Sequence, residues 1–315
     1  MSKVQLREVA SGLRFPEGPV VMKDGSVLVT ELQGGRIVRV ARNGKLSVVA
    51  ECGGGGNGAA FGPDGALYVC NNGGFNWVEV NGVLTPMDGL PTNYAGGKVQ
   101  RVELESGRVE TLYTECDGRQ LRAPNDLVFD RTGNFWFTDF GWVQETQKDR
   151  CGIYYARPDG SLIEEKVFPI DGPNGIGLAP HGETLYAAQT FEGRIWQWDL
   201  AGPGAFAGPR GDDQELLSGP GGGRLLVGLP GYQLLDSMAV DSDGNICVAT
   251  LINGGISVIS PRGDSVEHIP MPDPITTNIC FGGQDLMTAY ITLTTQGKLV
   301  EMKWPRPGLP LAYEG

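Results

Sequence analysis

The sequence predicts an all-β fold, a six-bladed β-propeller with four antiparallel strands in each blade. Three observations support this prediction. One strand–turn–strand pattern recurs six times along the chain, glycines hold fixed positions within it, and no long segment sustains an apolar period of 3.6 residues. We therefore treat residues 1–315 as a single domain built from these repeats.

Each repeat begins with a polar residue, continues as a short apolar strand, turns at a pair such as Asp-Gly or Thr-Gly, and returns as a second strand. The segment NDLVFDRTGNFWFTD from Asn125 is typical. In the first five repeats a glycine follows the leading residue by eight positions, and the shorter sixth repeat lacks it. We predict six inner hairpins, which start near Glu17, Asn57, Asn125, Asn174, Asp236 and Asn278.

A second hairpin follows each inner one and opens with a glycine, so that each repeat supplies four strands. These glycines are Gly35, Gly97, Gly152, Gly193, Gly255 and Gly297. After GKLVEM from Gly297 the chain becomes Pro-rich and offers no fourth strand. We predict that the N-terminal segment VQLREVA completes the last blade, because a closed ring leaves no open sheet edge.

Composition and charge exclude several classes of protein. The chain has 49 Gly in 315 residues, about twice the usual ~7 % share, but 40 % of its residues are hydrophobic and the glycines have a period, which excludes disorder. A net charge of −12 argues against nucleic acids and anionic membranes as partners. No segment has the length and apolarity of a signal peptide or a membrane span, so we expect a soluble, cytoplasmic protein. The six cysteines show no CxxC spacing typical of a zinc site.

The six leading residues predict a metal site. The first strand of each blade lines the central channel of a propeller, so these residues lie together at one rim of that channel. All six carry carboxylate or amide oxygens, two are acids, and none is His or Cys. Turn chemistry alone would explain any single one of them, but six in phase favour one divalent cation. Ca²⁺ suits such oxygen ligands best, with Zn²⁺, Mn²⁺ or Mg²⁺ as alternatives.

Four motifs resemble the SMP-30/gluconolactonase/lactonase-like (LRE) family of calcium-dependent six-bladed propeller hydrolases, and the resemblance covers essentially the whole chain. They are FPEGPV around Glu17, PNDLVFDRTGNFWFTD around Asn125, PNGIGLAP around Asn174 and LLDSMAVDSDGNICVAT around Asp236. The resemblance implies that these four residues ligate a catalytic cation and that Asp236 is a base or nucleophile. The Asp236-Ser237 pair resembles the version found in bacterial lactonases of the family.

The expected activity is hydrolysis of a small lactone, either a sugar lactone or a related compound. A bound cation polarises the carbonyl group, and Asp236 either deprotonates water or attacks directly; the sequence leaves both routes open. One alternative is a phosphotriesterase or fluorophosphatase-like activity at the same ion. Another is a non-catalytic calcium-binding propeller that serves as an interaction module.

Further residues are expected to bind substrate or to orient the ligands. Asn57, Asp126 and Ser237 lie at or beside the axial positions. Tyr94 and Trp142 lie in the long loops 71–96 and 139–151, which the strand directions place on the side of the metal. We expect them to form an aromatic pocket wall with Phe75, Trp77, Phe140 and Tyr232. The expected partner is a small lactone, and the expected assembly is a monomer or small homo-oligomer.

Overall fold

The computed structural model describes residues 5–208 and 218–315 and is a six-bladed β-propeller. Each blade is an antiparallel sheet whose first strand lies at the axis and whose fourth lies outermost. Within the described ranges the only helical element is the 3-10 turn Pro220–Gly222. No helix in those ranges is long and apolar enough to span a lipid bilayer.

The first three blades follow in chain order, each given from the axis outward. Blade one consists of Pro16–Val21, Val27–Glu31, Arg36–Val40 and Leu46–Glu51. Blade two consists of Gly56–Phe61, Leu67–Asn71, Lys98–Glu103 and Arg108–Tyr113. Blade three consists of Pro124–Phe129, Phe135–Asp139, Cys151–Ala156 and Ile163–Ile170.

The remaining blades close the ring. Blade four consists of Pro173–Leu178, Thr184–Gln189, Arg194–Gly202 and Arg224–Gly228, with the short strand Ala205–Phe206 also paired to Arg194–Gly202. Blade five consists of Leu234–Val240, Ile246–Leu251, Gly255–Ile259 and Val266–Pro270. Blade six consists of Thr276–Gly282, Thr288–Leu293 and Lys298–Lys303, with Arg7–Ser11 as its fourth strand.

The N-terminal strand completes blade six, as the sequence predicts. Arg7 pairs with Glu301, and Ser11 pairs with Lys298. Val4, the first residue of the predicted strand, lies outside the described residues. The first and last parts of the chain are therefore joined by a sheet, and the ring has no open edge at this point.

The turn glycines behave as the repeat predicts. All five have positive φ, a conformation that costs glycine little: Gly25 at 78°, Gly65 at 73°, Gly133 at 92°, Gly182 at 76° and Gly244 at 82°. These turns define the far face of the propeller. The opposite face, where the inner strands begin, is called the rim face below.

The rim segment 71–96, expected to be a loop, contains a hairpin of its own. Its strands are Asn76–Val80 and Val83–Met87. A second small hairpin joins Glu115–Cys116 to Arg119–Gln120 before blade three. These additions lie outside the repeat pattern and build up the rim face beside blades two and three.

The C-terminal tail crosses the far face. The backbone N–H of Leu309 donates to the carbonyl oxygen of Val240 at 3.0 Å, and that of Lys23 donates to Gly315 at 3.0 Å. The ring of Tyr313 lies 5.8 Å from that of Phe129. The tail thus runs from blade five towards blade one.

Candidate active site

Every inner strand changes register at or next to its axial residue. The pairing between the first and second strands shifts across the axial residue in blades two, three, four and five. In blade one the shift follows Glu17, and in blade six it precedes Asn278. A bulge bends a strand and redirects its side chains, so the bulges turn the six polar residues towards the common axis.

The six axial residues are buried, and three of their oxygens lack a partner. Glu17, Asn57, Asn125, Asn174, Asp236 and Asn278 are all less than one-tenth exposed. The Oδ1 atoms of Asn57, Asn125 and Asn174 accept no hydrogen bond from the described residues. Unsatisfied buried acceptors are rare in folded proteins and call for an explanation.

Asn278 differs from the other axial amides because its hydrogen bonds are satisfied within the chain. Its Nδ2 donates to Glu17 Oε2 at 2.8 Å, and its Oδ1 accepts from the N–H of Ile279 at 2.8 Å. The N–H of Gly18 donates to the same Glu17 oxygen at 2.7 Å. Asn278 therefore orients Glu17, and Asn57 offers a free oxygen.

Three carboxyl groups are buried near the axis, and their pKa values rise. Burial raises the pKa of Glu17. Burial and then the negative charge of Glu17 raise the pKa of Asp236 well above its usual range. The same two causes raise the pKa of Asp126 to about 7. Without a counter-ion, the ring therefore favours the protonated forms of these acids, and no Lys or Arg of the described residues forms an ion pair with them.

Asp126 and Ser237 follow axial residues and lie within this cluster. The N–H of Leu127 donates to Asp126 Oδ1 at 2.9 Å, and the Ser237 hydroxyl lies close enough to lower the pKa of Asp126. Ser237 is completely buried, and its Oγ has no hydrogen-bond partner of standard geometry. The structure thus brings both predicted residues to the axial ring.

Glycines beside the axial residues allow the blades to approach closely. A Cβ atom at Gly175 would lie 2.6 Å from the carbonyl oxygen of Asp236, and one at Gly18 would lie 2.3 Å from that of Asn57. Real Cβ atoms do not come so close to backbone oxygens, so these positions require glycine. The close approach sets the separation between axial residues of neighbouring blades.

Buried threonines tie successive blades together at the same level. Each is the last but one residue of a second strand or directly follows one, and each donates to a carbonyl oxygen at or just before the next axial residue. The bonds are Thr30 to Asn57 at 2.7 Å, Thr138 to Asn174 at 2.6 Å, Thr190 to Leu235 at 2.7 Å and Thr294 to Pro16 at 3.1 Å. These bonds fix the backbone of the ring. They are absent from the sequence predictions, although a recurring Thr in VTE, FTD and AQT was a visible signal.

Tyr94 and Trp142 hold the segment that leads into Asn125. The Tyr94 hydroxyl and the Trp142 Nε1 both donate to the carbonyl oxygen of Arg122, the latter at 3.1 Å. Asp139 accepts from the N–H groups of Arg122 and Ala123 at 2.7 and 2.6 Å. Asp139 therefore bonds nearby backbone N–H groups, and this network positions the start of blade three.

The rim aromatics form one continuous cluster, which we call the rim aromatic cluster. Ring centroids lie 4.9 Å apart for Phe15 and Trp77, 5.6 Å for Phe75 and Trp77, 5.2 Å for Phe75 and Trp142, and 5.6 Å for Tyr94 and Trp142. Phe15, two residues before Glu17, did not figure in the sequence predictions.

Two other predicted wall residues lie outside this cluster. Phe140 packs instead on Phe191, at 5.6 Å between centroids. Tyr232 is 75 % exposed. The aromatic wall is therefore concentrated beside blades one to three.

Behind the ring the channel is apolar. A cavity of about 600 Å³ extends towards the far face, and its lining includes Val20, Leu127, Ile176 and Met238 from the inner strands. The tail segment Leu309–Tyr313 lines its far end. Because apolar walls screen charge poorly, electrostatic interactions at the ring are stronger than in water.

The donor set of the ring fits a hard divalent cation. Glu17 and Asp236 supply two carboxylates, and the unpartnered amide oxygens supply neutral ligands of the kind that Ca²⁺ accepts. Across residues 5–208 and 218–315 no group of three or more His, Cys, Asp or Glu is arranged to hold a metal. A cation at the ring must therefore use amide oxygens together with carboxylates.

The fold and the ring define a class of protein, a six-bladed propeller with an oxygen-lined axial site. The chain belongs to the SMP-30/gluconolactonase/LRE-like family, since the family model described as the SMP-30/gluconolactonase/LRE-like region matches residues 15–295. It is 27 % identical over 258 residues to the lactonase drp35 of Staphylococcus haemolyticus strain JCSC1435, covering 81 % of this chain and 69 % of that protein. It is 26 % identical over 309 residues to the gluconolactonase of Zymomonas mobilis strain ZM4, covering 88 % and 76 %.

Solved structures share the fold at lower identity. A gluconolactonase from Xanthomonas campestris superposes with a TM-score of 0.73 at 22 % identity, covering 96 % of this chain and 91 % of that one. A calcium-binding protein, regucalcin from Agrobacterium tumefaciens strain C58, gives a TM-score of 0.67 at 18 % identity, covering 98 % of both chains.

Proposed function

We propose that this protein opens the ring of a small lactone with the help of one divalent cation, most suitably Ca²⁺, held at the axial ring. The family and both curated relatives identify the chain as a lactone-hydrolysing enzyme. The single observation that supports the metal is the set of buried amide oxygens without partners, beside two buried carboxylates. The related regucalcin, described as calcium-binding, is consistent with this choice of ion.

In this proposal Glu17, Asn125, Asn174 and Asp236 hold the cation. When bound, the cation polarises the lactone carbonyl and stabilises negative charge on its oxygen. Asn57 has a free Oδ1 at the same level, and we assign it a hydrogen bond to substrate or to water. Asn278 orients Glu17 through its Nδ2.

Asp236 is the residue that moves a proton or attacks the carbonyl. It is buried, and its carboxylate stands among other acids that favour uptake of a proton. The nearby charge of Asp126 raises the pKa of Asp236 further, and the backbone N–H of Ser237 donates to its carboxylate. With the tail across the far end of the channel, we expect lactone and water to approach from the rim face.

A titration assay tests the activity. Purified protein is incubated with a panel of aldono- and alkyl-lactones in a pH-stat, with added Ca²⁺ and with excess chelator. We expect hydrolysis that the chelator abolishes and Ca²⁺ restores. Absence of chelator-sensitive hydrolysis of every lactone would refute the proposal, and faster turnover of paraoxon-type esters than of every lactone would replace it with a phosphotriesterase.

A further inference from the structure

A second feature of the rim face is a polar cleft between blades one and two. The cleft has a volume of about 520 Å³ and opens beside the rim aromatic cluster. Phe75 and Trp77 supply aromatic walls, and Gln33, Asn76 and Asn93 supply amides. Among the described residues, the lining contains one charged side chain, that of Arg14, and no acidic one.

Arg14 is an unpaired cation in the described part of the chain. Its backbone N–H donates to Glu31 at 2.9 Å, but its guanidinium group makes no ion pair or hydrogen bond with residues 5–208 or 218–315. Both oxygens of Glu31 accept from other donors, Oε1 from this N–H and Oε2 from Arg36 Nε at 2.5 Å. The guanidinium of Arg14 is thus free to bind an anion.

Three other cations of the rim face are neutralised by the chain itself. The ion pairs are Arg122 with Asp149 at 2.8 Å, Arg150 with Asp171 at 3.3 Å and Lys148 with Glu192 at 3.8 Å. Arg14 therefore differs from these cations in being available to a ligand.

A short stretch of chain joins the cleft to the axial ring. Arg14 precedes Glu17 by three residues, and three residues of extended chain span at most about 11 Å. The intervening Phe15 packs on Trp77 at 4.9 Å, and its carbonyl oxygen accepts from the N–H of Leu32 at 3.1 Å. None of the six axial residues is among the described residues that line the cleft, so a ligand that contacts both Arg14 and the ring must extend over a distance of this order.

The cleft wall also offers hydrogen-bonding groups on a fixed frame. The Gln33 Oε1 is buried without a partner. Asn76 is held in place, since its Nδ2 donates to Leu90 at 3.1 Å and its Oδ1 accepts from the N–H of Thr92 at 3.1 Å. Amides beside aromatic rings suit a polyhydroxylated ligand, and a guanidinium group suits a carboxylate or phosphate.

We propose that this cleft binds an anionic substituent of the lactone substrate and that Arg14 determines this specificity. The inference rests on the proposed lactone hydrolysis and names the substrate class as lactones that carry a carboxylate or phosphate away from the ring carbonyl. Arg14 is a specificity residue and takes no part in opening the ring.

The test compares charged and neutral lactones. The probes are D-glucono-1,5-lactone, its 6-phosphate and D-glucaro-1,4-lactone, assayed with Ca²⁺ on the wild type and on Arg14→Gln, Arg14→Lys and Arg157→Gln. Arg157 is exposed in a far-face turn of blade three and controls for the loss of one positive charge. We expect Arg14→Gln to lower the anionic-to-neutral ratio of kcat/KM about tenfold, Arg14→Lys to lower it less, and Arg157→Gln to leave it unchanged. The anionic lactone whose kcat/KM ratio falls more in Arg14→Gln shows whether the cleft prefers a phosphate or a carboxylate.

A binding measurement separates this inference from the activity itself. Calorimetry with gluconate, 6-phosphogluconate and glucarate measures affinity without turnover. Suppose that the wild type hydrolyses no lactone, and that the Arg14→Gln variant binds an anionic sugar acid more weakly than the wild type does. The cleft assignment is then supported and the proposed function is refuted. If neither the kcat/KM ratio nor anion binding depends on Arg14, the cleft assignment is wrong.

Discussion

Three buried amide oxygens, on Asn57, Asn125 and Asn174, have no hydrogen-bond partner in the described chain. Each such group costs about 1–3 kcal/mol when it stays unsatisfied, and nearby Glu17 and Asp236 add buried negative charge. A divalent cation removes both problems at once, because it supplies a partner for the amides and a counter-charge for the acids. At the residue scale, a bound ion would therefore stabilise both the buried amides and the buried acids of the ring.

The substitution Asp236→Asn separates an enzyme from a binding module. It keeps the shape of the side chain and removes the carboxylate, so we expect weaker Ca²⁺ binding and a fall in kcat/KM of at least about 100-fold. Initial rates on a responsive lactone and calorimetry with Ca²⁺ measure the two effects. The control is Asp243→Asn, an exposed acid in the turn of the same inner hairpin. Retention of near wild-type turnover by Asp236→Asn would exclude this residue as base or nucleophile.

At the scale of elements, the inner strands fix the positions of the axial residues. Each strand begins beside the rim and shifts its register at or next to its axial residue, and in four blades a threonine ties the second strand to the next blade. Thr138 illustrates the arrangement, because its Oγ1 donates to Asn174 at 2.6 Å and accepts from the N–H of Asp126 at 3.2 Å. One buried hydroxyl thus connects Asp126, the residue after the axial Asn125, with the axial residue of blade four.

Thr138→Val tests this connection without changing the side-chain volume appreciably. The variant leaves a buried carbonyl and a buried N–H without their partner, so we expect the free energy of unfolding to fall by about 1–3 kcal/mol. We also expect Ca²⁺ to bind several-fold more weakly, because Asn174 loses its restraint. Denaturant titration and calorimetry measure the two changes. Thr138→Ser keeps the hydroxyl and should restore Ca²⁺ affinity; equal affinity in the Val and Ser variants would contradict the role of the bond.

The N-terminal strand closes the circle of blades and so affects the whole molecule. The strand Arg7–Ser11 joins the outer edge of blade six, whose other strands come from the end of the chain. The axial ring takes residues from all six blades, so its geometry depends on closure. An open blade would also expose a sheet edge that invites association.

Removal of residues 1–11 tests closure. Loss of a paired strand removes several backbone hydrogen bonds of about 1 kcal/mol each, and at about 2–4 °C per kcal/mol we expect Tm to fall by at least about 5 °C. Calorimetric scans measure Tm, and size-exclusion chromatography detects association through the exposed edge. Deletion of residues 1–5 keeps the whole strand and serves as the control. An unchanged Tm after the longer deletion would show that the strand does not hold the ring together.

Much of this organisation could be predicted because it repeats. The axial residues and the turn glycines recur at one spacing, and the spare strand VQLREVA follows from a blade that lacks its fourth strand. Single features outside the repeat could not be predicted in this way. The hairpin Asn76–Val80 with Val83–Met87 interrupts a blade once, and Phe15 joins the aromatic cluster through a contact across blades. Arg122 forms an ion pair with Asp149, whereas Arg14 forms none with the described residues. This difference depends on which acids the fold brings near each arginine, and the sequence does not show it.

The central claim is that the axial ring binds a divalent cation through both amide and carboxylate oxygens. A crystal structure of the protein grown with Ca²⁺ tests this most directly. We predict one ion on the propeller axis, with oxygens of Glu17, Asn125, Asn174 and Asp236 at about 2.3–2.6 Å. An axial ring that contains only water at saturating Ca²⁺, or an ion bound elsewhere, would contradict the claim.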